Sequence, residues 1–288
     1  MAEVYSFIGF SEPLSSWSHL LAAFMFLLLG IPLIKKGRGN TLRVISLVIF
    51  TFSLVFLFSM SGVFHILSKN TLGWNVLIRL DHAAIWVLIA GSFTPVHIIL
   101  FRGFWRWGFL LLIWTVAITG LVLKTVFFAD IPPWASATMF LGLGWMGALS
   151  AWKVIHVYGD RSIRYLIYSA LFYTMGTLFD YFFHWPTLIQ GVLGPHEVFH
   201  ICVIAGAVYH WLWVYTWANC PVVARLTFKV TEFPNSLFIA EAQGEAIKIS
   251  AHSLAQIKSQ IQKITTNLYH HKLPAEAIHL KYNREEIL

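Results

Sequence analysis

Long apolar stretches alternate with short polar segments over residues 1–220 of the chain. Seven stretches reach the ~20 residues that a helix needs to cross a bilayer; they lie at 14–34, 44–67, 77–101, 104–125, 133–154, 163–183 and 196–218. Each is continuous and lacks the alternation of barrel strands, so helices satisfy the backbone polar groups most simply. The pattern predicts an all-α membrane protein, a bundle of seven transmembrane helices.

The remainder of the chain has a different pattern. Residues 221–288 carry 8 of the 20 Lys/Arg and 6 of the 13 Asp/Glu, a density typical of soluble protein. Short alternating runs ("ARLTFKVTEF", "AIKIS", "AIHLKY") predict strands, and "SLAQIKSQIQKITTNLYHH" predicts an amphipathic helix. We therefore predict a transmembrane core at 1–220 and a small soluble C-terminal α+β appendage at 221–288. Its His270 and His271 are interpreted as solvated residues at a helix end.

The overall composition agrees with a membrane protein. The chain is 58% hydrophobic and 11% charged, against about 25% charged in ordinary soluble domains. Cys202 and Cys220 form neither a Cys-x-x-Cys pair nor a disulfide framework. The basic residues have no soluble basic face, which gives no case for nucleic acid. The N-terminus, "MAEVYSFIGFSEPLSSW", lacks the basic region of a signal peptide.

The Lys and Arg residues of the predicted loops are divided unevenly between the two sides of the membrane. The side where the N-terminus lies holds three, Lys69, Arg79 and Lys124. The other side holds nine: Lys35, Lys36, Arg38, Arg43, Arg102, Arg106, Lys153, Arg161 and Arg164. Cytoplasmic loops carry the excess of Lys and Arg. This predicts an integral multi-pass protein of the cell membrane with the N-terminus outside and the C-terminal tail in the cytoplasm.

Ionisable residues inside the predicted spans gather at one depth, on the side where the N-terminus lies. A single intramembrane histidine is more often a packing residue than a ligand, but many polar groups at one depth each need a partner in a medium of low polarity. A shared metal would supply that partner. The layer contains His19, Ser61, His65, Asp81, His82, Asp180, His184, His196, Glu197 and His200.

The stretch "GPHEVFHICVIAGAVYH", residues 194–210, contains the best ligand pair. His196 and His200 are four residues apart, so they share a helix face about 6 Å apart. With His65 they would complete the three protein ligands and one water of a catalytic zinc site. Asp180 could belong to this site or could be a pore-lining or capping group. His97, His156 and His210, which lie away from the layer, are interpreted as packing or hydrogen-bonding residues.

The same stretch contains His-Glu-x-x-His, the motif of soluble zinc proteases, in which the Glu is the general base. In those enzymes a third ligand comes from further along the chain. Here the membrane part ends about 20 residues later, and the tail offers no helix at the right depth, so the third ligand must come from upstream. An intramembrane metalloprotease remains a minor alternative.

Three ordered blocks resemble the progestin and adipoQ receptor family, whose bacterial members are called hemolysin III. They are "SEPLSSWSHLLAA", then "SGVFH" followed by "RLDHAAIWVLIAGSFTPV", and "HEVFHICVIAGAVYH". With weaker likeness in "FLGLGWMGALSAWKVI", they cover the seven spans in order. Ser18 and Ala22 depart from the usual Thr and Gly. Residues 221–288 have no counterpart in the short bacterial members, and receptor members place the N-terminus in the cytoplasm, against the charge count here.

This resemblance implies specific site residues. Zinc would be bound by His65, His196 and His200, Asp81 would hold the zinc-bound water, and Ser61 matches the serine beside it. The family's relatives include alkaline ceramidases, and receptor members resemble hydrolases of lipid amides. Receptor members have Gln at the position of Glu197, which implies that this carboxylate is dispensable.

Together these features predict a zinc-dependent intramembrane hydrolase of a lipid amide or ester. Asp81 would accept the proton of the attacking water and pass it to the leaving group. The alternative is a non-enzymatic receptor or pore-forming protein with structural zinc, since direct binding by Asp81 would close the site with four protein ligands. Aromatic residues are candidates for the wall of an acyl-chain cavity: Phe64, Trp86, Phe93, Phe199 and Trp211.

Overall fold

The computed structural model describes residues 5–182, 187–220, 226–233, 236–243, 246–269 and 278–283. Within them, six helical stretches are long and apolar enough to cross a membrane. Five are single helices: α1 (Pro13–Lys36), α2 (Thr41–Phe64), α3 (Leu72–Leu100), α4 (Phe104–Val126) and α8 (Pro195–Trp217). The sixth joins α5 (Pro133–Trp145) to α6 (Gly147–Tyr158). The prediction of a mainly helical, multi-pass membrane protein is confirmed.

The sixth predicted span, 163–183, differs from the others. Its α-helix, α7 (Arg164–Thr177), has 14 residues and continues as a π-helical turn of 5 residues over Leu178–Phe182. Residues 183–186, which include His184, lie outside the described residues. The α-helix is shorter than a bilayer span, and polar side chains such as Thr174, Thr177 and Asp180 lower the hydropathy of the segment. Six candidate spans are therefore established, and the predicted seventh is not confirmed. The π turn is of interest because such turns are frequent at functional sites.

Close packing of α1 against α2 sets the position of the end of α2. A Cβ at Gly62 would lie only 2.7 Å from Cγ of Leu20, so a larger residue would push the helices apart. Small residues permit such close approach of membrane helices. The buried Ser16 hydroxyl donates a hydrogen bond to the Gly62 carbonyl, at 2.8 Å. These contacts bring the end of α2, with Ser61 and His65, against the start of α1.

The C-terminal part forms a small α+β unit. Strands β1 (Leu226–Phe233), β2 (Leu237–Ala242), β3 (Lys248–Ala251) and β4 (Ile278–Asn283) form a sheet in the order β3-β2-β1-β4. β1 pairs antiparallel with β2 and parallel with β4, and α9 (Leu254–Tyr269) lies on the connection that a parallel pair requires. The predicted strands and helix are present, whereas His270 and His271 lie outside the described residues.

The sheet does not stand apart from the bundle. Buried residues of β1, including Phe228 and Val230, belong to the same hydrophobic cluster as Trp213 and Trp217 at the end of α8. Arg43 of α2 donates from Nη2 to the carbonyl of Cys220, which follows α8, at 2.9 Å. The appendage therefore packs on the end of the bundle opposite the predicted histidine layer.

Candidate metal centre

Three histidines from two distant parts of the chain meet at one end of the bundle. His65 follows the last residue of α2, and His196 and His200 lie in the first turns of α8. One ring nitrogen of each lies within 4.8 Å of the other two. His65 and His200 are buried and His196 is partly buried. These three histidines, which the sequence predicts to be metal ligands, lie close enough together to hold a metal ion.

Glu12, which the sequence analysis missed, contacts this cluster directly. Its Oε2 accepts a hydrogen bond from Nδ1 of His65, and its Oε1 lies 3.2 Å from Nζ of Lys69. Burial raises the pKa of the Glu12 carboxyl, but the hydrogen bond and neighbouring positive charges outweigh burial and lower that pKa to about 2. Glu12 is therefore a carboxylate that accepts the Nδ1 proton.

The other nitrogen of His65 has the properties of a metal ligand. Because the Glu12 carboxylate can only accept, Nδ1 of His65 carries the proton, and Nε2 therefore carries a lone pair. In the described part of the chain, this buried Nε2 has no hydrogen-bond partner. A buried polar atom without a partner costs roughly 1–3 kcal/mol. A metal ion would satisfy it, so the donor set fits zinc.

Asp180 makes the equivalent contact with a second histidine of the cluster. Its Oδ2 lies 2.9 Å from Nδ1 of His196, and it sits in the π-helical turn that follows α7. Of the alternatives that the sequence left open for Asp180, the structure therefore favours contact with the site. Carboxylates that accept from the distal nitrogen of a ligating histidine orient its ring and tautomer.

Glu197 has a different role from the Glu of a zinc protease. Its Oε2 accepts from the backbone N–H of Gly194 at 2.9 Å, and its Oε1 accepts from the Ser15 hydroxyl at 3.1 Å. The first contact caps the start of α8, and the second joins α8 to α1. Both oxygens are engaged in holding the helix that carries His196 and His200, which argues against a general base at this position.

His19, another histidine of the predicted layer, contacts the three-histidine group without belonging to it. Its ring stacks on that of His200, with centroids 3.9 Å apart and planes 16° from parallel. Neither ring nitrogen has a hydrogen-bond partner among the described residues. Four histidines of the predicted layer, His19, His65, His196 and His200, are thus in ring contact with one another, whereas His184 lies outside the described residues.

Asp81, His82 and Ser61 line a cavity of about 1490 Å³ together with the three histidines. Asp81 Oδ2 lies 3.9 Å from Nδ1 of His82, which donates to the Ile78 carbonyl at 2.9 Å. Among the described residues, the group compact enough for one ion contains His65, His196 and His200 but not Asp81. Asp81 therefore faces the same space without being one of the close ligand atoms.

The cavity continues from the cluster deep into the bundle. Lys69, which is more than half exposed, marks its solvent end, and Val96, Ile155 and Ile163 line its far end. Of the predicted wall aromatics, Phe64, Phe93 and Phe199 line it. Trp86 is instead buried in a cluster with residues of α4, and Trp211 stacks on Tyr215. Apolar character alone does not show which face of a helix lines a cavity.

Fold and site together define a multi-pass helical membrane protein with an intramembrane histidine cluster. The chain belongs to the haemolysin-III related family, whose model matches residues 7–211. This confirms the resemblance drawn from the three sequence blocks. The match covers the bundle up to Trp211 of α8 and leaves the C-terminal sheet outside it.

Three curated proteins illustrate the relationship. The chain is 27% identical over 170 residues to Hemolysin-3 of Bacillus cereus, covering 59% of this chain and 74% of that protein. It is 28% identical over 171 residues to the Hemolysin-3 homolog of Bacillus subtilis (strain 168), covering 58% and 79%. It is 27% identical over 236 residues to Heptahelical transmembrane protein 1 of Arabidopsis thaliana, covering 72% and 69%.

Proposed function

We propose that this protein is a zinc-dependent intramembrane hydrolase that cleaves an amide or ester bond of a membrane lipid. The observation that carries the proposal is the position of three histidine nitrogens within 4.8 Å of one another at the head of a long, largely apolar cavity. Three imidazole ligands suit zinc and leave a fourth position open for water or substrate. A zinc ion held by His65, His196 and His200 would supply Lewis-acid chemistry, polarising a carbonyl and lowering the pKa of a bound water.

The residues around the cluster have separate roles in this proposal. Asp81 accepts the proton of the attacking water and returns it to the leaving amine or alcohol as the bond breaks. Ser61, on the last turn of α2, orients the water through its hydroxyl. The apolar walls hold the acyl chain, while the polar end near Lys69 receives the head group.

Glu12 and Asp180 act as positioning residues for the metal ligands. Each accepts from Nδ1 of one histidine, which directs Nε2 of His65 and of His196 toward the shared centre. Because each ring is held by a carboxylate, little rearrangement is needed to bind the ion. The two carboxylates also offset the positive charge of the metal inside the membrane.

Replacing either positioning carboxylate with its amide is expected to weaken zinc binding by about 10- to 100-fold. Glu12→Gln and Asp180→Asn should still bind one zinc per chain at saturating zinc, because the three ligands remain. Competition with a chromophoric chelator measures the affinity in purified protein. Asp130→Asn, a change at an exposed loop residue, is the matched control; an affinity equal to that of wild type in both site variants would limit Glu12 and Asp180 to a role in folding.

We also propose that α7 and its π-helical turn cross the membrane as a seventh span. Together they contain 19 residues, close to the ~20 required, and a plant relative carries the name heptahelical. An odd number of spans places the two termini on opposite sides. The nine loop cations on one side against three on the other favour a cytoplasmic C-terminus.

A reporter enzyme fused after Leu288 is therefore expected to behave as cytoplasmic. A second fusion, in the loop between α2 and α3 next to Asn70, should behave as exported and serves as the control. An exported C-terminal reporter together with a cytoplasmic loop reporter would reverse the orientation. Two reporters on the same side as the N-terminus would show an even number of spans.

A further inference from the structure

Three polar side chains interrupt the apolar wall of the cavity far from the histidine cluster. Ser92 of α3, Ser169 of α7 and His210 of α8 all line it. We propose that they form a second polar subsite, which binds a hydroxyl group carried on the acyl chain of the ligand. The inference rests on the proposed function in that the head of the ligand is taken to lie at the metal centre.

The three residues lie at one depth. His210 is ten residues beyond His200, Ser92 is eleven beyond Asp81, and Ser169 is eleven before Asp180. At about 1.5 Å of rise per residue, each is roughly 15–16 Å from the histidine layer. The hydrocarbon core of a bilayer is about 30 Å thick, so the subsite lies about halfway across it. The distal part of an acyl chain whose head is at the histidine layer reaches this depth.

Packing brings the three helices together at this level. Nε2 of His210 lies 3.3 Å from the Ser92 carbonyl, which joins α8 to α3. Helices α7 and α8 run antiparallel: a Cβ at Gly176 would lie 2.7 Å from Cys202, and a Cβ at Gly206 would lie 2.9 Å from Tyr173. The same pairing, continued by one more turn, places Ser169 beside His210.

The hydrogen bond to Ser92 accounts for one nitrogen of His210 but not for the other. A carbonyl oxygen has two lone pairs, so the Ser92 carbonyl can accept from Nε2 of His210 in addition to its bond within the helix. With Nε2 as donor, Nδ1 carries a lone pair. The Ser92 hydroxyl already donates to the Ile89 carbonyl at 2.7 Å and can only accept from a ligand.

This arrangement selects one chemical class of ligand. Two acceptors in an apolar wall favour a group that donates a hydrogen bond, and the Ser169 hydroxyl can either donate or accept. A chain hydroxyl meets these requirements. A plain methylene at this depth leaves the polar groups unmatched, and a ketone offers only another acceptor. The structure therefore favours a lipid with a hydroxylated chain over its saturated or oxo analogues.

Competition binding to purified, zinc-loaded protein tests the subsite without requiring turnover. The probes are octadecanoate, 12-hydroxyoctadecanoate and 12-oxooctadecanoate, each displacing a fluorescent fatty acid. Wild type should bind the hydroxy acid about tenfold more tightly than the other two, the size expected for one net hydrogen bond. Equal affinities for the three acids, or binding of none, would overturn the proposal.

Variants separate the subsite from a general effect on packing. His210→Phe should bind the hydroxy and unsubstituted acids equally, and the double variant Ser92→Ala with Ser169→Ala should reduce the preference while leaving the His210–Ser92 carbonyl contact in place. Ser150→Ala is the matched control, because Ser150 lines the cavity but bonds to His97; it should keep the full preference. A preference that survives in both subsite variants contradicts the assignment.

The outcomes distinguish this inference from the proposed function. Loss of the hydroxyl preference with intact hydrolysis of a lipid amide overturns the subsite alone. A clear hydroxyl preference in a zinc-loaded protein that cleaves no lipid supports the subsite and overturns the hydrolase proposal.

Discussion

Alanine at His65, His196 or His200 is expected to reduce the zinc content of the purified protein from about one ion per chain to none. The loss of zinc should be large at each position, because only two of the three histidine ligands remain to hold the ion. Elemental analysis after desalting gives the stoichiometry. Comparison of the melting temperatures of zinc-free wild type and variants separates loss of the metal from loss of the fold.

His156→Ala is the control for this series. His156 is exposed on α6 and stacks only loosely on Trp152, with ring centroids 6.0 Å apart, so its replacement should leave zinc unchanged. Full zinc in the His65 variant would remove α2 from the centre. A full zinc content in the His196 and His200 variants would show that other residues bind the ion.

Asp81→Asn is expected to keep zinc and to lose hydrolysis of a lipid amide by about 10²-fold or more, the usual contribution of a general base. The amide fills the same volume but cannot accept the proton of the attacking water. Turnover is measured with a ceramide-type amide in mixed micelles, under zinc-saturating conditions. Loss of zinc in this variant would make Asp81 a ligand and the site a closed, structural one.

Glu197→Gln is the matched control for Asp81. Its carbonyl oxygen can still accept from Gly194 or Ser15, so we expect nearly full activity and a stability loss of about 1 kcal/mol from the weakened helix cap. A dead Glu197→Gln with an active Asp81→Asn would revive the metalloprotease alternative. If neither variant changes turnover and zinc-loaded wild type cleaves no lipid, the receptor or pore alternative takes the place of the hydrolase, and dye leakage from vesicles then tests for a pore.

The bundle was largely predictable because membrane helices are long, apolar and regular. Six stretches form as expected, and the alternating runs of the tail form strands. The sixth predicted span was the exception: polar residues such as Thr174 and Asp180 lower its hydropathy, and the helix widens into a π turn over Leu178–Phe182. A hydrophobic pattern shows how apolar a segment is, but it does not show whether the segment forms an α-helix or a π-helical turn.

The histidine cluster was predictable where its residues share a helix and less so where it depends on packing between helices. Helical periodicity pairs His196 with His200, and depth brings His65 to the same level. Glu12 could not be predicted because it lies just before α1, outside the apolar stretches in which an ionisable residue indicates function. Its contact with His65 joins positions 53 residues apart and depends on how α1 packs on α2, which no single-helix pattern encodes.

Zinc K-edge X-ray absorption of the purified protein tests directly whether His65, His196 and His200 hold a catalytic zinc ion. We expect three nitrogen neighbours at about 2.0–2.1 Å and one further light atom from a non-protein ligand. The His65→Gln variant should show one nitrogen fewer or no bound zinc. A wild-type spectrum with sulfur neighbours, one unchanged by the substitution of His65, or a protein that takes up no zinc would contradict a catalytic metal centre formed by α2 and α8.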